Sequence, residues 1–431
     1  MTDTIFALSS GAPPAAIGVI RISGPAARLA LERLAGKLPP PRRAVLAALH
    51  DADGLVLDRA VVLWLPGPGT ATGEDSAELH LHGGRAVVAA VETALGAVPG
   101  LRRAEPGEFT RRAFANGRID LAEAEGLADL LSAETELQRR SALAMAGGDL
   151  SRLVADWRMR VLALSAAVEA ALDFAGDDEI DDDGAALPDG VAESCAALAE
   201  ELAQWLARPR AEPLREGFRV VLAGPPNAGK STLFNALVED EAAITAAEPG
   251  TTRDVLVRAV AIGGLPFAFI DTAGLRDEGA GTIERIGIAR ARAEAERADL
   301  VLWLGPEGEG PKVGTVWEIA AQVDRSDLPA KPGAQFRLSA VTGEGLDVFR
   351  EALVAHARMA LPQPGDVALN ARQHALLAEV MTAAADAGRC TDPLLAAENL
   401  RIARVALDRL VGRAGTEDML DALFGRFCIG K

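Results

Sequence analysis

The sequence predicts a chain of the α/β and α class: an N-terminal α/β domain, then a helical domain interrupted by a second α/β domain with a mostly parallel sheet. Three observations lead there. Residues 1 to 118 hold short apolar runs bounded by Gly and Pro, as strands are. Residues from about 120 to 208 are rich in Ala, Leu, Glu and Arg and nearly free of Pro. Pro209 and Pro213 on one side and Pro362 and Pro364 on the other bracket a stretch where the α/β pattern returns, and helical periodicity resumes beyond it. The segments read as 1–118, 119–213, 214–360 and 361–431, with 119–213 and 361–431 forming one helical domain split by the insertion.

In the first segment the strands are Ala16 to Ile22 and Ala60 to Leu65, and Ala77 to His82 alternates strictly. Alternation puts Glu78, His80 and His82 on one face. Asp120 with Glu123 three residues on has the form of a capping box. Leu121, Ala124, Leu127, Ala128 and Leu131 then recur at helical spacing. Phe218 to Ala223 reads as a buried strand, and Leu400, Ala403, Leu407 and Leu410 form one helical stripe.

Composition narrows the function classes. The chain has 431 residues, 49% of them hydrophobic, enough for about two to four domains. No apolar run approaches the roughly 20 residues that span a bilayer. Met1 to Phe6 lacks a basic region followed by an apolar one, so no secretory signal is expected. Three widely spaced cysteines, Cys195, Cys390 and Cys428, do not make a disulfide framework and fit a reducing cytoplasm. A net charge of −18 argues against wholesale coating of nucleic acid. It leaves room for a local basic face, for which Arg102, Arg103, Arg111, Arg112 and Arg118 are candidates, with solvated surface as the alternative. Six acids in the seven residues 177 to 183 read as an exposed loop or helix end.

The chemistry is concentrated in the inserted segment. Gly224-Pro225-Pro226-Asn227-Ala228-Gly229-Lys230-Ser231 follows a strand and precedes the helical run that starts at Thr232. This G-x-x-x-x-G-K-[ST] pattern in that context is a solvent-facing phosphate loop. Backbone N–H groups point at phosphate oxygens, Lys230 offsets β/γ charge, and the Ser231 hydroxyl ligates Mg²⁺. Gly250-Thr251-Thr252-Arg253-Asp254 suits a first switch, with Thr252 as a second Mg²⁺ hydroxyl. Asp271-Thr272-Ala273-Gly274 after the strand Leu265 to Ile270 is a D-x-x-G element, with Asp271 near the metal and Gly274 on the γ-phosphate. Ser339-Ala340 stands where a loop would meet a guanine edge. Together these point to GTP and GDP rather than ATP.

Two positions depart from the usual pattern. The guanine-reading [NT]-K-x-D element is degenerate: Ala321-Gln322-Val323-Asp324 ends the strand Val316 to Ala320, and a shifted register would use Asp327. The position after D-x-x-G, where Ras-like enzymes carry a water-orienting Gln, is Leu275. A polar neighbour must take that task, and Arg276, Asp277, Glu278, Glu284 and Arg285 are the candidates.

Further stretches carry a resemblance that runs essentially from end to end. They are Arg21-Ile22-Ser23-Gly24-Pro25, Thr72-Gly73-Glu74-Asp75, Glu78 to Gly84, Pro106 to Phe114, and the terminal Phe427-Cys428-Ile429-Gly430-Lys431. With the phosphate motifs they make the chain resemble the tRNA-modification GTPase family MnmE (TrmE). The resemblance implies an N-terminal folate-binding domain that also forms a homodimer, and a helical domain carrying the inserted GTPase domain. It implies a heterotetramer with an FAD-containing MnmG-like protein. That complex would add aminomethyl or carboxymethylaminomethyl groups at C5 of the wobble uridine of certain tRNAs. A tetrahydrofolate derivative (5-formyl or 5,10-methylene) supplies the one-carbon unit, and K⁺ stimulates hydrolysis through dimerisation of the GTPase domains.

By position, the resemblance assigns Arg21, Glu78, Arg118 and Lys431 to folate; the family more often has Lys where Arg118 stands. It assigns Asn227 to K⁺ with oxygens of Ala246, Glu248 and Thr251, within the nucleotide-side run Ala246-Ala247-Glu248-Pro249-Gly250. The family often has Thr where Ala246 stands, so only a carbonyl can serve there. Glu284 would orient the hydrolytic water. Cys428 belongs to the terminal motif, and an inert buried thiol is the competing reading. A ribosome-assembly GTPase, or a signalling switch, would share the inserted domain but not the N-terminal domain or the cysteine-containing tail.

Overall fold

A computed structural model describes residues 3–175, 187–239, 256–271, 293–327, 329–413, 417–425 and 427–430. The chain divides into two compact units, Met1–Ala128 with Asp408–Lys431, and Asp129–Leu407.

The first unit is built on a six-stranded sheet of order β3-β4-β5-β2-β1-β6. Its strands are β1 (Thr4–Leu8), β2 (Ile17–Ser23), β3 (Val45–His50), β4 (Val56–Leu65), β5 (Ser76–His82) and β6 (Leu101–Arg103). The alternation in β5 behaves as expected: Ala77, Leu79 and Leu81 are buried, while Glu78, His80 and His82 lie on the other face. The buried face packs against α1 (Ala27–Ala35) and α2 (Arg85–Gly96) through Ala27, Leu31, Val91 and Leu95. β4 begins four residues before the expected Ala60, because Val56 to Arg59 carry a mixed pattern yet pair with β3. After α3 (Glu108–Ala115) comes α4 (Leu121–Ser132). The capping box before α4 forms as expected: Asp120 N donates to Glu123 Oε2 at 2.7 Å and Glu123 N to Asp120 Oδ1 at 2.9 Å.

Four of the five clustered arginines are paired with acids, and the fifth, Arg118, is exposed. Arg112 is fully buried. Its guanidinium donates to the Asp3 carbonyl and carboxylate at 3.0 Å, to Glu74 at 3.2 Å and to Glu108 at 3.0 Å. Arg102 grips Glu108 with two hydrogen bonds and Asp3 with a third, at 2.8, 2.5 and 2.6 Å. Arg103 pairs with Glu92 and Arg111 with Asp421. Only the fold brings these acids, from 3 to 421, alongside. The acidic run 177–183 lies outside the described residues.

The second unit opens with the long helices expected from composition. They are α5 (Glu136–Ala146), α6 (Asp149–Ala175) and α7 (Val191–Leu206), followed by the short α8 (Glu212–Glu216). Its sheet has the order β12-β11-β10-β7-β9-β8. The strands are β7 (Phe218–Ala223), β8 (Leu256–Ile262), β9 (Leu265–Asp271), β10 (Leu300–Trp303), β11 (Val316–Ala320) and β12 (Phe336–Arg337). All neighbours are parallel except β8 and β9. The helices α9 (Lys230–Glu239) and α10 (Leu346–Ala360) accompany it. In α10, Leu346, Phe349, Leu353 and Ala357 fall on one stripe and are buried. Each large side chain so buried stabilises by about 1.5–3 kcal/mol.

Residues on either side of the sheet in sequence pack together. In α11 (Ala371–Arg389), Gly388 lies so close to α7 that an added Cβ would sit 3.0 Å from the Ala192 carbonyl oxygen and the Cys195 Cβ. Along α12 (Pro393–Leu410), Leu400, Ala403, Leu407 and Leu410 are all fully buried, as their spacing predicts. α13 (Glu417–Phe424) closes the chain. Among the described residues no helix is long and apolar enough to cross a membrane.

Among the described residues two connections between parallel neighbours lack a helix, β11 to β12 and, with more structure in its place, β10 to β11. Parallel strands are usually joined by a helix, yet residues 304–315 pass from β10 to its parallel neighbour β11 with no helix. Polar anchors take its place. Trp303 Nε1 donates to the Pro306 carbonyl at 2.8 Å. Lys331, buried, donates to the carbonyls of Trp303 and Ile319 at 3.0 and 3.3 Å and pairs with Glu318.

Candidate functional site

The strand order of the second unit selects one edge. β7 is central: β9 lies on one side and β10 on the other, so the chain leaves β7 at a topological switch point, where open α/β sheets bind ligands beyond their carboxyl ends. The registers align those ends. Leu222 of β7 is opposite Asp271 of β9, Ala223 is opposite Trp303 of β10, and Trp303 is opposite Glu318 of β11. The phosphate loop, the D-x-x-G element, the 321–324 segment and Ser339-Ala340 all follow strands that end on this edge.

Within the loop, Gly224 has φ +150° and Gly229 +91°, and Asn227, at its exposed tip, has +62°. An added Cβ on Gly224 would meet the Gly305 N at 3.1 Å, so this first glycine lets the loop pass under the end of β10. Pro225, Pro226 and Asn227 are exposed, but Lys230 is buried, contrary to the solvent-facing placement expected for it. Its ammonium lies back over the loop, donating to the carbonyls of Gly224 and Pro225 at 2.8 Å each. Ser231 and Thr232 follow on the exposed first turn of α9. A cation, a hydroxyl and a helix N-terminus at a glycine-shaped loop are a donor set that fits a phosphate chain and its Mg²⁺.

The base side is a second loop cluster. Asp324 is exposed at the end of β11. Asp327 is held by Arg325 through two hydrogen bonds at 3.1 and 2.6 Å, and that pairing draws its carboxyl below the ordinary range. Ser339 is fully buried. Its hydroxyl accepts from the backbone N–H groups of Val341 and Thr342 at 3.2 and 3.1 Å, which shapes the turn that presents Ala340. Ala246, Ala247, Glu248, Pro249, Gly250, Thr251, Thr252, Thr272, Ala273, Gly274, Arg276, Glu284 and Lys431 lie outside the described residues. For Asp271 only the backbone is described.

The first unit has a separate candidate site on the outer face of its sheet. Arg21 and Glu78 are direct cross-strand partners of β2 and β5. Arg21 Nε lies 3.4 Å from Glu78 Oε1, and His80 Nε2 lies 3.1 Å from Oε2, so each carboxylate oxygen has its own partner. The Arg21 guanidinium sits 5.9 Å from the centre of the Phe109 ring. The loop 72–75 carries the next candidate: Asn116 Nδ2 donates to the Thr72 carbonyl at 2.7 Å, and Arg118 lies against Gly73, its Cγ 3.2 Å from where a Cβ would be. The tail reaches the same sheet. Ile429 bridges to Pro106, and Ser9 Oγ donates to the Gly430 carbonyl at 2.9 Å beside β1, which pairs with β2. Cys428 is exposed, so it is not the inert buried thiol weighed against it.

Alternation placed His80 on the face of Glu78, but periodicity did not reveal Phe109 or Asn116 as neighbours of these groups; the pairing of β2 with β5 and the placement of α3 do that. A carboxylate facing outward between a guanidinium and an imidazole, with an aromatic ring and a further arginine nearby, fits an N–H-rich ring carrying an acidic tail.

The fold and the phosphate loop define the class: a P-loop nucleotide-binding protein with its site at the carboxyl edge of a mostly parallel sheet. Comparison with known proteins narrows this. The profile of the MnmE helical domain matches residues 121–428, and that of the GTP-binding protein TrmE N-terminus matches residues 4–118. The tRNA modification GTPase MnmE of Novosphingobium aromaticivorans is 71% identical over 437 residues, covering 100% of both chains. The protein of the same name from Erythrobacter litoralis is 65% identical over 429 residues, again covering 100% of both. The G domain of the T. maritima FeoB iron transporter is 26% identical over 32% of this chain and 98% of its own, with a TM-score of 0.24, too low to bear on the fold. The chain belongs to the MnmE family, and its enzymatic class is GTP hydrolase.

Proposed function

We propose that this chain is the GTP-hydrolysing component of a cytoplasmic system that modifies C5 of the wobble uridine of tRNA, adding aminomethyl or carboxymethylaminomethyl groups. The observation that carries the reading is the presence of two chemically different sites in one chain: the phosphate loop, and the Arg21–Glu78 site on the outer sheet face. A switch that only hydrolyses GTP has no use for the second.

In this reading Lys230 and the loop N–H groups of Asn227 to Thr232 hold the β- and γ-phosphates. Ser231 and Thr252 supply hydroxyls to Mg²⁺. Asn227 supplies its side-chain oxygen to K⁺, with Ala246, Glu248 and Thr251. Asp324 accepts from the guanine edge, favoured over Asp327 because the latter's carboxylate is already engaged by Arg325. With Leu275 in the water-orienting position, Glu284 orients the attacking water, and Arg276 stands next to the same element. Mg²⁺ and K⁺ would supply positive charge where γ-phosphate charge develops.

On the first unit, Glu78 accepts from ring and amino N–H groups of a tetrahydrofolate, either 5-formyl or 5,10-methylene. Arg21, Arg118 and Lys431 pair with its carboxylates. Cys428, exposed in the terminal motif, is the candidate catalytic thiol. The N-terminal domain, 1–118, forms a homodimer. The helical parts, 119–213 and 361–431, and the GTPase domain, 214–360, work with an FAD-containing MnmG-like protein in a heterotetramer.

Two measurements test this. Calorimetry with 5-formyltetrahydrofolate should give binding that Glu78→Ala weakens by on the order of tenfold or more, as loss of a charged hydrogen-bond acceptor does. No heat at millimolar ligand removes the folate site. Nucleoside analysis of tRNA from a deletion strain should lack the modified wobble uridine. Intact nucleosides with a disturbed ribosome profile would favour the ribosome-assembly switch instead.

A further inference from the structure

Among the described residues three non-glycine positions have φ in the left-handed region: Arg42, Asn227 and Gln322. Two of them are hydrogen-bonded to each other across 95 positions of sequence. Gln322 Nε2 donates to the Asn227 carbonyl at 3.1 Å. Asn tolerates this conformation better than most residues, but Gln has no such ease. Its backbone there must be maintained by its contacts. They are present: Arg325 N donates to the Gln322 carbonyl at 3.0 Å, and Arg325 Nη1 to Gln322 Oε1 at 3.2 Å. Arg325 is in turn fixed by Asp327. The Gln322 side chain packs against the phosphate loop, with its Nε2 2.9 Å from the position a Cβ on Gly229 would take.

We propose that Gln322 is a positioning residue that straps the base-side loop to the phosphate loop, and that it works as a pair with Arg325. The argument is one of hydrogen-bond capacity. A primary amide both accepts and donates, so Gln322 takes a hydrogen bond from Arg325 on one atom and gives one to Asn227 from the other. In the register that uses Asp324, the lysine usual at this position donates but cannot accept. Beside the Arg325 guanidinium it would also face a like charge. The departure from the usual element is therefore internally compensated. The strap holds Asn227 and Gly229 in the shape that receives the phosphates, and it ties that shape to the loop bearing Asp324.

The strap rests on reading residues 224–231 as the nucleotide site. The test uses the full chain, a fluorescent mant-GDP, and steady-state GTP hydrolysis. Gln322→Met keeps length and bulk but removes both hydrogen bonds. It should weaken mant-GDP five- to tenfold and raise KM for GTP similarly, with kcat at saturation within twofold, since the lost contact shapes ground-state binding. Arg325→Met should weaken binding by about threefold. The double variant should be no weaker than Gln322→Met alone, because Arg325 acts through Gln322. Gln322→Lys should weaken binding in the wild-type background and recover to within twofold of wild type when combined with Arg325→Ser. A purely structural role would lower kcat through the active fraction and leave KM in place. Wild-type affinity in Gln322→Met, or additive losses in the double variant, overturns the strap. Unchanged mant-GDP affinity in Lys230→Ala would instead overturn the nucleotide site itself, so the two failures are distinct.

Discussion

Arg112 and Lys230 are both buried cations, and their surroundings differ in kind. Arg112 is enclosed by carboxylates of Asp3, Glu74 and Glu108, two of which Arg102 also grips. Lys230 donates to backbone carbonyls of its own loop. A buried guanidinium surrounded by acids is committed, since withdrawing it leaves several charges unpaired in a poor solvent for them. The Lys230 ammonium stands at the loop whose N–H groups a phosphate chain would meet, so its hydrogen bonds there can be exchanged for phosphate oxygens. Burial alone therefore does not separate structural cations from functional ones; their place in the fold does.

The largest effect expected from this contrast is at Lys230. Lys230→Ala should lower GTP turnover by on the order of 10³-fold, as loss of a charge aimed at the transition state does, while the unfolding midpoint stays near wild type. Near-normal turnover would remove the residue from the site. Arg112→Ala should do the opposite: leave GTP turnover by the folded fraction unchanged and cost about 3–5 kcal/mol of stability in urea unfolding. A cost below about 1 kcal/mol would mean that the acids of the cluster rehydrate freely, and the contrast with Lys230 would collapse.

Glu284→Ala extends the comparison to a residue that acts only while the bond breaks. It should slow kcat by on the order of 10²-fold and leave mant-GDP affinity intact, measured in K⁺ at saturating GTP. Equal turnover would shift the role to Glu278.

The smallest effect is in acid. Burial is the largest single influence on Asp3 and Glu108 and opposes their ionisation, yet the hydrogen bonds and charges of Arg102 and Arg112, with backbone donors, together outweigh it and hold both carboxyls below their ordinary values of 3.8 and 4.5. Groups depressed on folding stabilise above the unfolded value, and that contribution fades as pH falls through the folded one. In the second unit the sign reverses at Asp299, whose carboxyl burial pushes up although the Arg219 backbone N–H donates to it. Its ionised form is the disfavoured one, so acidification relieves it. Asp327, Glu136, Glu201 and Glu398 of the second unit are depressed too, but they lie at or near the surface, where such pairs contribute little stability, so between about pH 5 and 3 the first unit should lose melting temperature before the second, by on the order of a few degrees. Tryptophan fluorescence of a variant that keeps only Trp64, and of one in which only Trp64 is replaced so that Trp157, Trp205, Trp303 and Trp317 remain, reports on each unit. Simultaneous loss in both units would say that the Arg112 cluster does not set the acid response.

The phosphate loop, the helical stripes and the alternating strand at Glu78 could be read from residues alone because each is a local pattern: the groups that cooperate are within about ten positions of one another, and a period of 3.6 or 2 reports which face they share. The stripe Leu400, Ala403, Leu407, Leu410 and the Asp120–Glu123 capping box are such cases. The fate of the arginines between 102 and 118 was not local. Glu108 is near in sequence, but their other partners stand at 3, 74, 92 and 421, and nothing in the spacing of charges distinguishes a solvated arginine from one enclosed by acids. The helix-free passage from β10 to β11 was hidden for the same reason, since it depends on Lys331 arriving from beyond β11 to satisfy carbonyls of both strands. So was the contact of Gln322 with Asn227, in which a residue that looked like a loss in one motif is seen to close against another. Periodicity encodes which face a side chain occupies. Only the pairing of strands and the return of distant segments decide what that face meets, because hydrogen bonds and ion pairs form between neighbours in space whatever their distance along the chain.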